Sequence, residues 1–209
     1  MGKGREKEII ICICGMAGSG KSTVARRIAE HYGLKYCSGG DALKAIAMER
    51  GYNAQEQGWW ESEEGIQFLK ERMENPDFDK MVDEKLIEMA GEGGVVLDSW
   101  TMPWLLDRGF KVWLEASEEI RAKRVASRDG LPIEEAIKMI KEKEQRTKAI
   151  YERLYGFMLG EDMEPFDLII DVNLLDADEV FQILRMAIDN LVIRGKQRDP
   201  HSQVASNLT

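Results

Sequence analysis

The sequence is poor in the residues that build several common kinds of site. It contains three cysteines and only two histidines, His31 and His201, which argues against a disulfide framework, a histidine-based catalytic triad and a zinc site. An odd number of cysteines without a pairing pattern indicates a reducing compartment, so we expect a cytoplasmic protein. No apolar run approaches the roughly 20 residues that span a bilayer, and we expect no membrane partner.

The length and the net charge of the chain narrow the class of protein further. The 209 residues carry 29 basic and 38 acidic side chains, which gives a formal net charge of −9. Such an acidic balance argues against general nucleic-acid binding, although a local basic site could still bind phosphates. The length favours one domain with a core of its own. The polar residues 194–209 are expected to form a disordered tail.

Short apolar runs alternate with helical patterns along the chain. The first run, residues 9–14 (IIICIC), is typical of a strand buried on both faces rather than of a signal peptide. Further strands are predicted at 34–37, 95–97, 110–114 and 167–171, and helices at 21–32, 41–51, 117–128, 133–155 and 177–193, with two or three more within 52–92. This alternation predicts an α/β fold with a parallel sheet.

A phosphate-loop motif separates the first predicted strand from the first predicted helix. Residues 15–22, GMAGSGKS, fit G-x-x-x-x-G-K-[ST] in full. The glycines let backbone N–H groups turn towards phosphate oxygens, and the helix N-terminus adds partial positive charge. We expect Lys21 to reach the β- and γ-phosphates of ATP and Ser22 to bind Mg²⁺. The predicted ATP-binding residues are Gly15, Met16, Ala17, Gly18, Ser19, Gly20, Lys21, Ser22 and Thr23.

Four arginines and one aspartate also indicate a site that binds phosphate. Arg121, Arg124 and Arg128 recur at i, i+3 and i+7, so they share a helix face that could neutralise a phosphoryl group, or could simply be solvated. Arg146 follows the next turn, and the long helix could return it to the same site. Asp98 ends a predicted strand, where active sites of parallel sheets lie. It is expected to serve Mg²⁺ or the acceptor, or else to cap the next helix.

The order of these motifs resembles that of the nucleoside monophosphate kinases, most of all the archaeal type of cytidylate kinase. The phosphate loop is followed by SGGDALK at 38–44, a strand ending at Asp98, RAKRVASRDG at 121–130 and DLIID at 167–171. The resemblance implies one three-layer P-loop NTPase domain, residues 1–193, with a five-stranded parallel sheet. Its core would be residues 8–39 and 93–193, with a helical acceptor-binding insertion at about 40–92 and a short lid at about 125–135.

The same resemblance implies a reaction and its residues. An ATP-dependent kinase would transfer the γ-phosphate to a nucleoside monophosphate, with CMP or dCMP as the leading acceptor, and would act as a monomer. The implied catalytic residues are Lys21, Asp98, Arg124, Arg128 and Arg146. The implied acceptor contacts are Ser38, Gly39, Asp41, Lys44, Asp98 and Trp100, and the implied Mg²⁺ ligands are Ser22 and Asp98.

The acceptor side departs from the family pattern. Lys44 stands where members usually carry an arginine, and Trp100 stands at the position of the arginine that grips the acceptor phosphate. Either Lys44 with another cation, Arg72 or Arg108, holds that phosphate, or the acceptor is not a nucleoside monophosphate. Three alternatives stay open: a kinase of AMP, a kinase of a small-metabolite hydroxyl, and an NTP-binding switch without an acceptor.

Other residues near the predicted acceptor region have two interpretations. Four tryptophans lie in or next to the predicted insertion, namely Trp59, Trp60, Trp100 and Trp104. A base or sugar could stack on one of them, although core packing is the favoured explanation for each one taken singly. Asp41 could cap the helix that follows it or face the acceptor.

Overall fold

The computed structural model describes residues 9–55, 59–75 and 77–194. The tail predicted at 194–209 therefore lies, apart from its first residue, outside the described residues. The described chain alternates strands and helices, as the sequence predicts.

Five parallel strands form one sheet in the order β2-β3-β1-β4-β5. They are β1 (Ile10–Cys14), β2 (Lys35–Ser38), β3 (Val95–Asp98), β4 (Phe110–Glu115) and β5 (Leu168–Asp171). Every residue of β1 is buried, because this strand lies at the centre of the sheet with helices on both faces. The predicted α/β fold with a five-stranded parallel sheet is confirmed.

Helices connect the strands. They are α1 (Lys21–Tyr32), α2 (Gly39–Glu49), α3 (Glu63–Glu74), α4 (Asp77–Glu92), α5 (Met102–Leu105), α6 (Glu118–Asp129), α7 (Ile133–Tyr155) and α8 (Ala177–Ala187), which continues as a π-helix over Ile188–Ile193. The bounds of α1 and α7 are those predicted, whereas the short α5 was not predicted. None of the helices in the described ranges combines the length and apolar character that crossing a membrane requires.

The helices cover both faces of the sheet and give three layers. Ile11 of β1 packs with Ile28 of α1 and Leu184 of α8 on one face. Ile10 of the same strand packs with Leu86 of α4 on the other. Successive side chains of a strand point to opposite faces, so β1 supplies both cores.

The residues predicted as an insertion, 40–92, are helical in their described part. They include most of α2, a 3₁₀-helix at Trp59–Glu61, α3 and α4. Phe68 of α3 stacks on Phe78 of α4 with ring centroids 5.8 Å apart, and both rings share a hydrophobic cluster with Ile10 of β1. These helices therefore pack directly on the sheet.

The start of α2 differs from the prediction. The helix begins at Gly39 rather than at Asp41, because the Ser38 side chain accepts a hydrogen bond from the Asp41 backbone N–H at 3.1 Å. Ser38 is therefore the N-cap, and the alternative in which Asp41 caps the helix is wrong.

Strand pairing brings the candidate site together. Ile13 of β1 and Ser38 of β2 both pair with Asp98 of β3. The loop after β1, the start of α2 and the segment after β3 therefore open on the same edge of the sheet, where ligands of parallel α/β sheets bind.

Candidate active site

The phosphate loop connects β1 to α1 through a strained turn. Gly15, Gly18 and Gly20 have φ angles of +150°, +81° and +96°, a region that residues with a Cβ rarely adopt. A Cβ on Gly18 would also lie 2.6 Å from the carbonyl oxygen of Arg121. A Cβ on Gly15 would lie 2.7 Å from the carbonyl oxygen of Leu114, so Gly15 and Gly18 meet a steric demand as well as a conformational one, and Gly20 meets a conformational demand alone.

The end of α1 nearest the loop is suited to an anion. The N-cap Gly20 supplies no side-chain hydrogen bond to the first turn, so backbone N–H groups there remain for a ligand. Lys21, Ser22 and Thr23 line the adjacent cavity. Partial positive charge at the helix N-terminus and the lysine ammonium favour phosphate at this position.

A buried ion pair between Arg121 and Glu144 forms hydrogen bonds to the backbone of the phosphate loop. The Arg121 guanidinium donates to Glu144 and, at 3.0 Å, to the carbonyl oxygen of Ala17, whose N–H donates to Glu144 at 3.2 Å. Burial raises the pKa of Glu144, while Arg121 opposes that shift. The prediction that Arg121 faces phosphate beside Arg124 and Arg128 is wrong, because its charge is turned to a carboxylate 23 residues away.

A cavity of about 710 Å³ lies beside the loop, within the range of small-molecule sites. It extends from the start of α8, past the phosphate loop, to the helices of the predicted insertion. The predicted site residues that line it are Ala17, Gly18, Ser19, Gly20, Lys21, Ser22, Thr23, Ser38, Gly39, Asp41, Lys44, Asp98, Trp100, Arg124 and Arg128.

Three predicted residues lie outside the lining. Arg146 donates to Glu142, one turn earlier on α7, and borders a separate shallow depression. Met16 packs beside the cluster around Trp113. Gly15 precedes the residues that line the cavity and offers its carbonyl oxygen to Trp100.

The two lid arginines that line the cavity differ in their partners. Arg124 donates to the carbonyl oxygens of Ser19 at 3.2 Å and Val172 at 2.8 Å, so it ties α6 to the loop and to the chain after β5. Arg128, one turn later, forms a salt bridge with Asp129 and is half exposed. Of the two side chains, that of Arg128 is the more exposed.

Asp98 is buried at the carboxyl end of β3, with 3% of its surface exposed. Its Oδ2 accepts a hydrogen bond from Tyr36 at 2.9 Å, whereas Oδ1 has no partner among the described residues. Asp98 does not cap the next helix, because Ser99 Oγ accepts from the N–H groups of Thr101 and Met102. One carboxylate oxygen of Asp98 is thus available to a ligand.

Trp100 lies against the phosphate loop. Its Nε1 donates to the Gly15 carbonyl oxygen at 2.6 Å, and the Lys21 ammonium lies 5.2 Å from the ring centroid. An indole can donate only one hydrogen bond, and here the loop receives it. The residue in the family's arginine position therefore contacts the ATP side of the cavity.

The remaining tryptophans divide between core and cavity. Trp59 is 3% exposed, and Trp104 stacks on Phe157 with centroids 4.2 Å apart. Trp60 lines the cavity. Core packing is thus correct for Trp59 and Trp104, and only Trp60 and Trp100 could touch a base or sugar.

Residues at the start of α2 border the cavity from a more exposed position. Asp41 pairs with Arg26 of α1 at 3.0 Å, and both side chains are more than half exposed. Lys44 lies one turn further along α2 and also lines the cavity.

The end of the cavity formed by the insertion contains a buried ion pair. Arg72 of α3 donates to both oxygens of Asp79 on α4, at 2.5 and 3.2 Å, and each residue is 2% exposed. Tyr151 of α7 lines the cavity beside this pair. The sequence offered two cations that could hold the acceptor phosphate, Arg72 and Arg108. Arg108 lies just before β4, at the amino end of that strand, whereas the cavity lies at the carboxyl ends.

A second buried carboxylate lies one helical turn further along α4. Asp83 accepts hydrogen bonds from Thr101 at 2.5 Å and from Tyr155 at 2.6 Å. Burial raises the pKa of Asp83 to about 6, although these hydrogen bonds oppose the shift. Sequence reasoning missed Asp79, Asp83, Tyr151 and Tyr155, whose only signal is the i, i+4 spacing of each pair on one helix.

Comparison with known proteins identifies relatives over most of the chain. The sequence model of the "Cytidylate kinase-like family" matches residues 10–174. Cytidylate kinase from Pyrococcus horikoshii is 36% identical over 185 residues, which cover 88% of this chain and 90% of that protein. Cytidylate kinase from Methanopyrus kandleri is 37% identical and covers 89% of this chain and 96% of that protein.

Solved structures show the same fold at lower identity. Shikimate kinase from Acinetobacter baumannii aligns with a TM-score of 0.54 at 20% identity, covering 91% of this chain and 98% of that one. A gluconokinase from Sinorhizobium meliloti aligns with a TM-score of 0.52 at 16% identity, covering 91% and 97%. The predicted P-loop kinase fold and the prediction of an ATP-dependent kinase are confirmed. With a family match across residues 10–174 and archaeal relatives above 30% identity, the chain belongs to the cytidylate kinase-like family.

Proposed function

We propose that this enzyme transfers the γ-phosphate of ATP to CMP or dCMP. The observation that carries the proposal is the single cavity that joins the phosphate loop to a buried polar end within the insertion. The names of the archaeal relatives support cytidylate as the acceptor.

The phosphate loop supports in-line phosphoryl transfer by positioning and charge. Backbone N–H groups at the start of α1 would hold the β- and γ-phosphates, and Lys21 would follow the transferring group. An oxygen of the acceptor phosphate forms a bond to the γ-phosphorus while the bond from that phosphorus to the bridging oxygen of ADP breaks. The attacking oxygen is already anionic at pH 7, so the step needs no strong general base.

Asp98 and Ser22 fit a Mg²⁺ ion that arrives with ATP. Asp98 offers the carboxylate oxygen that lacks a partner, and Ser22 lines the same cavity. Mg²⁺ is commonly held by one or two protein groups, with phosphate and water oxygens completing the octahedron. When bound, the ion would neutralise charge on the phosphates.

The acceptor phosphate is proposed to lie between Lys44 and Arg128. Both residues line the cavity on either side of the phosphate loop. Arg128 is half exposed on the predicted lid, so it can follow the transferring group when the lid closes and excludes water. Arg146 would join the site only if α7 moved, because it pairs with Glu142 outside the cavity.

A second candidate function is phosphorylation of a small-metabolite hydroxyl. It is favoured by Trp100, which cannot grip an acceptor phosphate as an arginine does. In that case Asp98 Oδ1, which has no partner in the described chain, would accept the hydroxyl proton.

An ADP-release assay with ATP and a panel of acceptors separates the candidates. The panel contains CMP, dCMP, UMP, AMP, GMP, dTMP and several sugar acids. We expect CMP and dCMP to stimulate ADP release most strongly. Stimulation by a sugar acid alone would establish the second candidate, and ADP release that no acceptor increases would indicate an NTP-binding switch.

We also propose a monomeric, cytoplasmic enzyme. The monomer is proposed because one chain forms a cavity that joins the phosphate loop to the insertion. All three cysteines are free and buried, as a reducing compartment permits. Light scattering at assay concentration tests the monomer, and a dimer would contradict it.

A further inference from the structure

Ala17, near the middle of the phosphate loop, has both of its backbone polar groups bound by side chains of other elements. Its N–H donates to Glu144 Oε1 of α7 at 3.2 Å, and its carbonyl oxygen accepts from Arg121 Nη1 of α6 at 3.0 Å. The Arg121 guanidinium also donates to Glu144 Oε1. These three hydrogen bonds form a closed ring, which fixes the loop backbone at Ala17 from residues 104 and 127 positions away in the sequence.

The peptide group between Ala17 and Gly18 is oriented by this ring. A trans peptide is planar, so its C=O and its N–H point in opposite directions, and the described chain contains no cis peptide. The Ala17 carbonyl points to Arg121, which is buried and does not line the cavity. Gly18 itself lines the cavity. Its N–H, which points away from Arg121, is therefore directed into the cavity.

The preceding peptide group, between Met16 and Ala17, is bound within the protein at both ends. The Ala17 N–H donates to Glu144, and the Met16 carbonyl oxygen accepts from the Ser19 N–H at 3.1 Å. The Ala17 N–H is therefore engaged, and the Gly18 N–H is the donor that serves the cavity. Reversing the second peptide group would lose its bond to the guanidinium and would aim a carbonyl oxygen, rather than an N–H, at phosphate.

Glycine at position 18 makes an orienting contact necessary. Gly18 has a φ of +81°, and glycine loses more conformational freedom on folding than any other residue. A Cβ at this position would lie 2.6 Å from the Arg121 carbonyl oxygen, so a stiffer residue does not fit. Because the close approach demands glycine, the restraint on this peptide group has to come from the side chains of α6 and α7.

The ion pair has little capacity left to bind a ligand itself. Of the five N–H donors of a guanidinium, those of Arg121 bond to the carbonyl oxygens of Ala17 and Ala116 and to both oxygens of Glu144. The two residues are 7% and 9% exposed. A buried ion pair is weak evidence for stability, because the cost of desolvation can exceed the attraction. Its hydrogen bonds instead point to an action on the loop.

We infer that Arg121 and Glu144 are positioning residues that act through Ala17 to aim the Gly18 N–H at the phosphates of ATP. Neither side chain touches the ligand. The inference rests on the proposed binding of ATP to the phosphate loop, and it does not depend on which acceptor the enzyme uses. Without the ring, part of the binding energy of ATP would be spent on ordering the Gly18 peptide group.

Amide resonances of the wild type test the inference without any variant. The amide proton–nitrogen correlation spectrum of the full chain is recorded with and without MgATP, in the absence of an acceptor. We expect the Gly18 amide proton to move downfield, because it gains a charge-assisted hydrogen bond. The Ala17 amide proton, already bonded to Glu144, should keep its position. No shift at Gly18, or an equal shift at Ala17, would overturn the inference.

A double variant measures the size of the effect. Arg121→Met with Glu144→Leu removes both bonds to Ala17 and leaves no unpaired buried charge, so the urea unfolding midpoint should stay near that of the wild type. We expect its Kd for MgATP, measured by calorimetry, to rise ~10–100-fold, as for the loss of a hydrogen bond to a charged group. The KM for ATP should rise in parallel while the KM for CMP stays unchanged, which a general loss of structure would not produce.

An exposed ion pair between the same two helices is the matched control. Lys141 of α7 and Glu118 of α6 lie 3.1 Å apart, and neither lines the cavity. Lys141→Met with Glu118→Leu should leave the Kd for MgATP at the wild-type value.

The outcomes separate this inference from the proposed function. A folded double variant of Arg121 and Glu144 that binds MgATP as tightly as the wild type would overturn the inference and leave the kinase proposal intact. If that variant misfolds, the spectra of the wild type still decide. If the wild type itself does not bind MgATP, the proposed function fails, and the inference fails with it.

Discussion

The two ends of the cavity are built in opposite ways. The ATP end is built mainly from the phosphate loop, of which residues 17–23 line the cavity, and its binding groups are mainly backbone N–H. The acceptor end gathers side chains from α3, α4, the segment after β3 and α7. Its charged groups Arg72, Asp79 and Asp83 are buried.

This contrast follows from what each end must bind. Phosphates are alike in every nucleoside triphosphate, so a turn of backbone and one lysine are enough. An acceptor base must be distinguished from near-isosteres, and desolvated side-chain hydrogen bonds do this best. Burying the charges for that purpose makes the acceptor end depend on exact pairing, whereas at the ATP end only Asp98 is buried among the charged groups proposed to bind a ligand.

Removing the phosphate-loop lysine should have the largest effect on activity. Lys21→Ala is expected to lower kcat by ~10³-fold or more, because the charge that follows the transferring phosphoryl group is lost. The unfolding midpoint should change little, since Lys21 lies on the wall of the cavity. Lys85→Ala, which removes an exposed lysine paired only with Glu88, is the control. Wild-type turnover in Lys21→Ala would contradict the kinase mechanism.

Breaking the buried ion pair should have the largest effect on stability. Arg72→Met leaves Asp79 charged and buried, and is expected to lower the free energy of unfolding by about 3–5 kcal/mol. The double variant Arg72→Met with Asp79→Leu should recover most of that loss, because neither charge remains, yet should not recover binding of CMP. Urea unfolding and CMP titration measure the two effects. A single variant as stable as the double one would show that the pair carries no buried charge.

The same contrast explains what could be predicted from the sequence. The phosphate loop could be recognised from the sequence, because its geometry is local and eight adjacent residues determine it, although the predicted residues Gly15 and Met16 do not line the cavity. Helix α1 was predicted with its exact bounds, since it begins after Gly20 and ends before Gly33. Ser38 was missed as the N-cap of α2, because it is also the last residue of β2.

The acceptor end could not be predicted, because its partners are far apart in the sequence. Asp83 contacts Thr101 and Tyr155, which lie 18 and 72 residues away. Helical spacing predicted that Arg121 shares a face with the lid arginines, but it could not show that Glu144 lies opposite. A helical pattern identifies which residues share a face, while tertiary packing determines what that face meets.

Asp83 makes the stability of the acceptor end depend on pH. Its pKa is about 6 in the folded protein against a usual 3.8, so folding favours the protonated form. The stabilising contribution is complete below about pH 4 and is lost as the pH rises through 6. The unfolding free energy of wild type minus that of Asp83→Asn should therefore fall by up to about 3 kcal/mol between pH 4 and pH 7.

Urea titrations at several pH values measure this difference. Glu119→Gln is the control, because Lys123 lowers the pKa of the exposed Glu119 carboxyl and the sign of its small effect is opposite. Parallel pH curves for wild type and Asp83→Asn would mean that burial does not raise the pKa of Asp83.

Trp100 lies between the ATP end and the acceptor end of the cavity. A conservative substitution of Trp100 tests which of the two substrates it helps to bind. Trp100→Phe keeps an aromatic ring near Lys21 but removes the hydrogen bond to the Gly15 carbonyl oxygen, a loss of about 1 kcal/mol. We expect the KM for ATP to rise ~5-fold with the KM for CMP unchanged. Trp104→Phe is a matched control, because the buried Trp104 Nε1 has no hydrogen-bond partner in the described chain, and it should leave both KM values at the wild-type level. A rise confined to the KM for CMP would instead place Trp100 with the acceptor, in the role of the arginine it replaces in the family pattern.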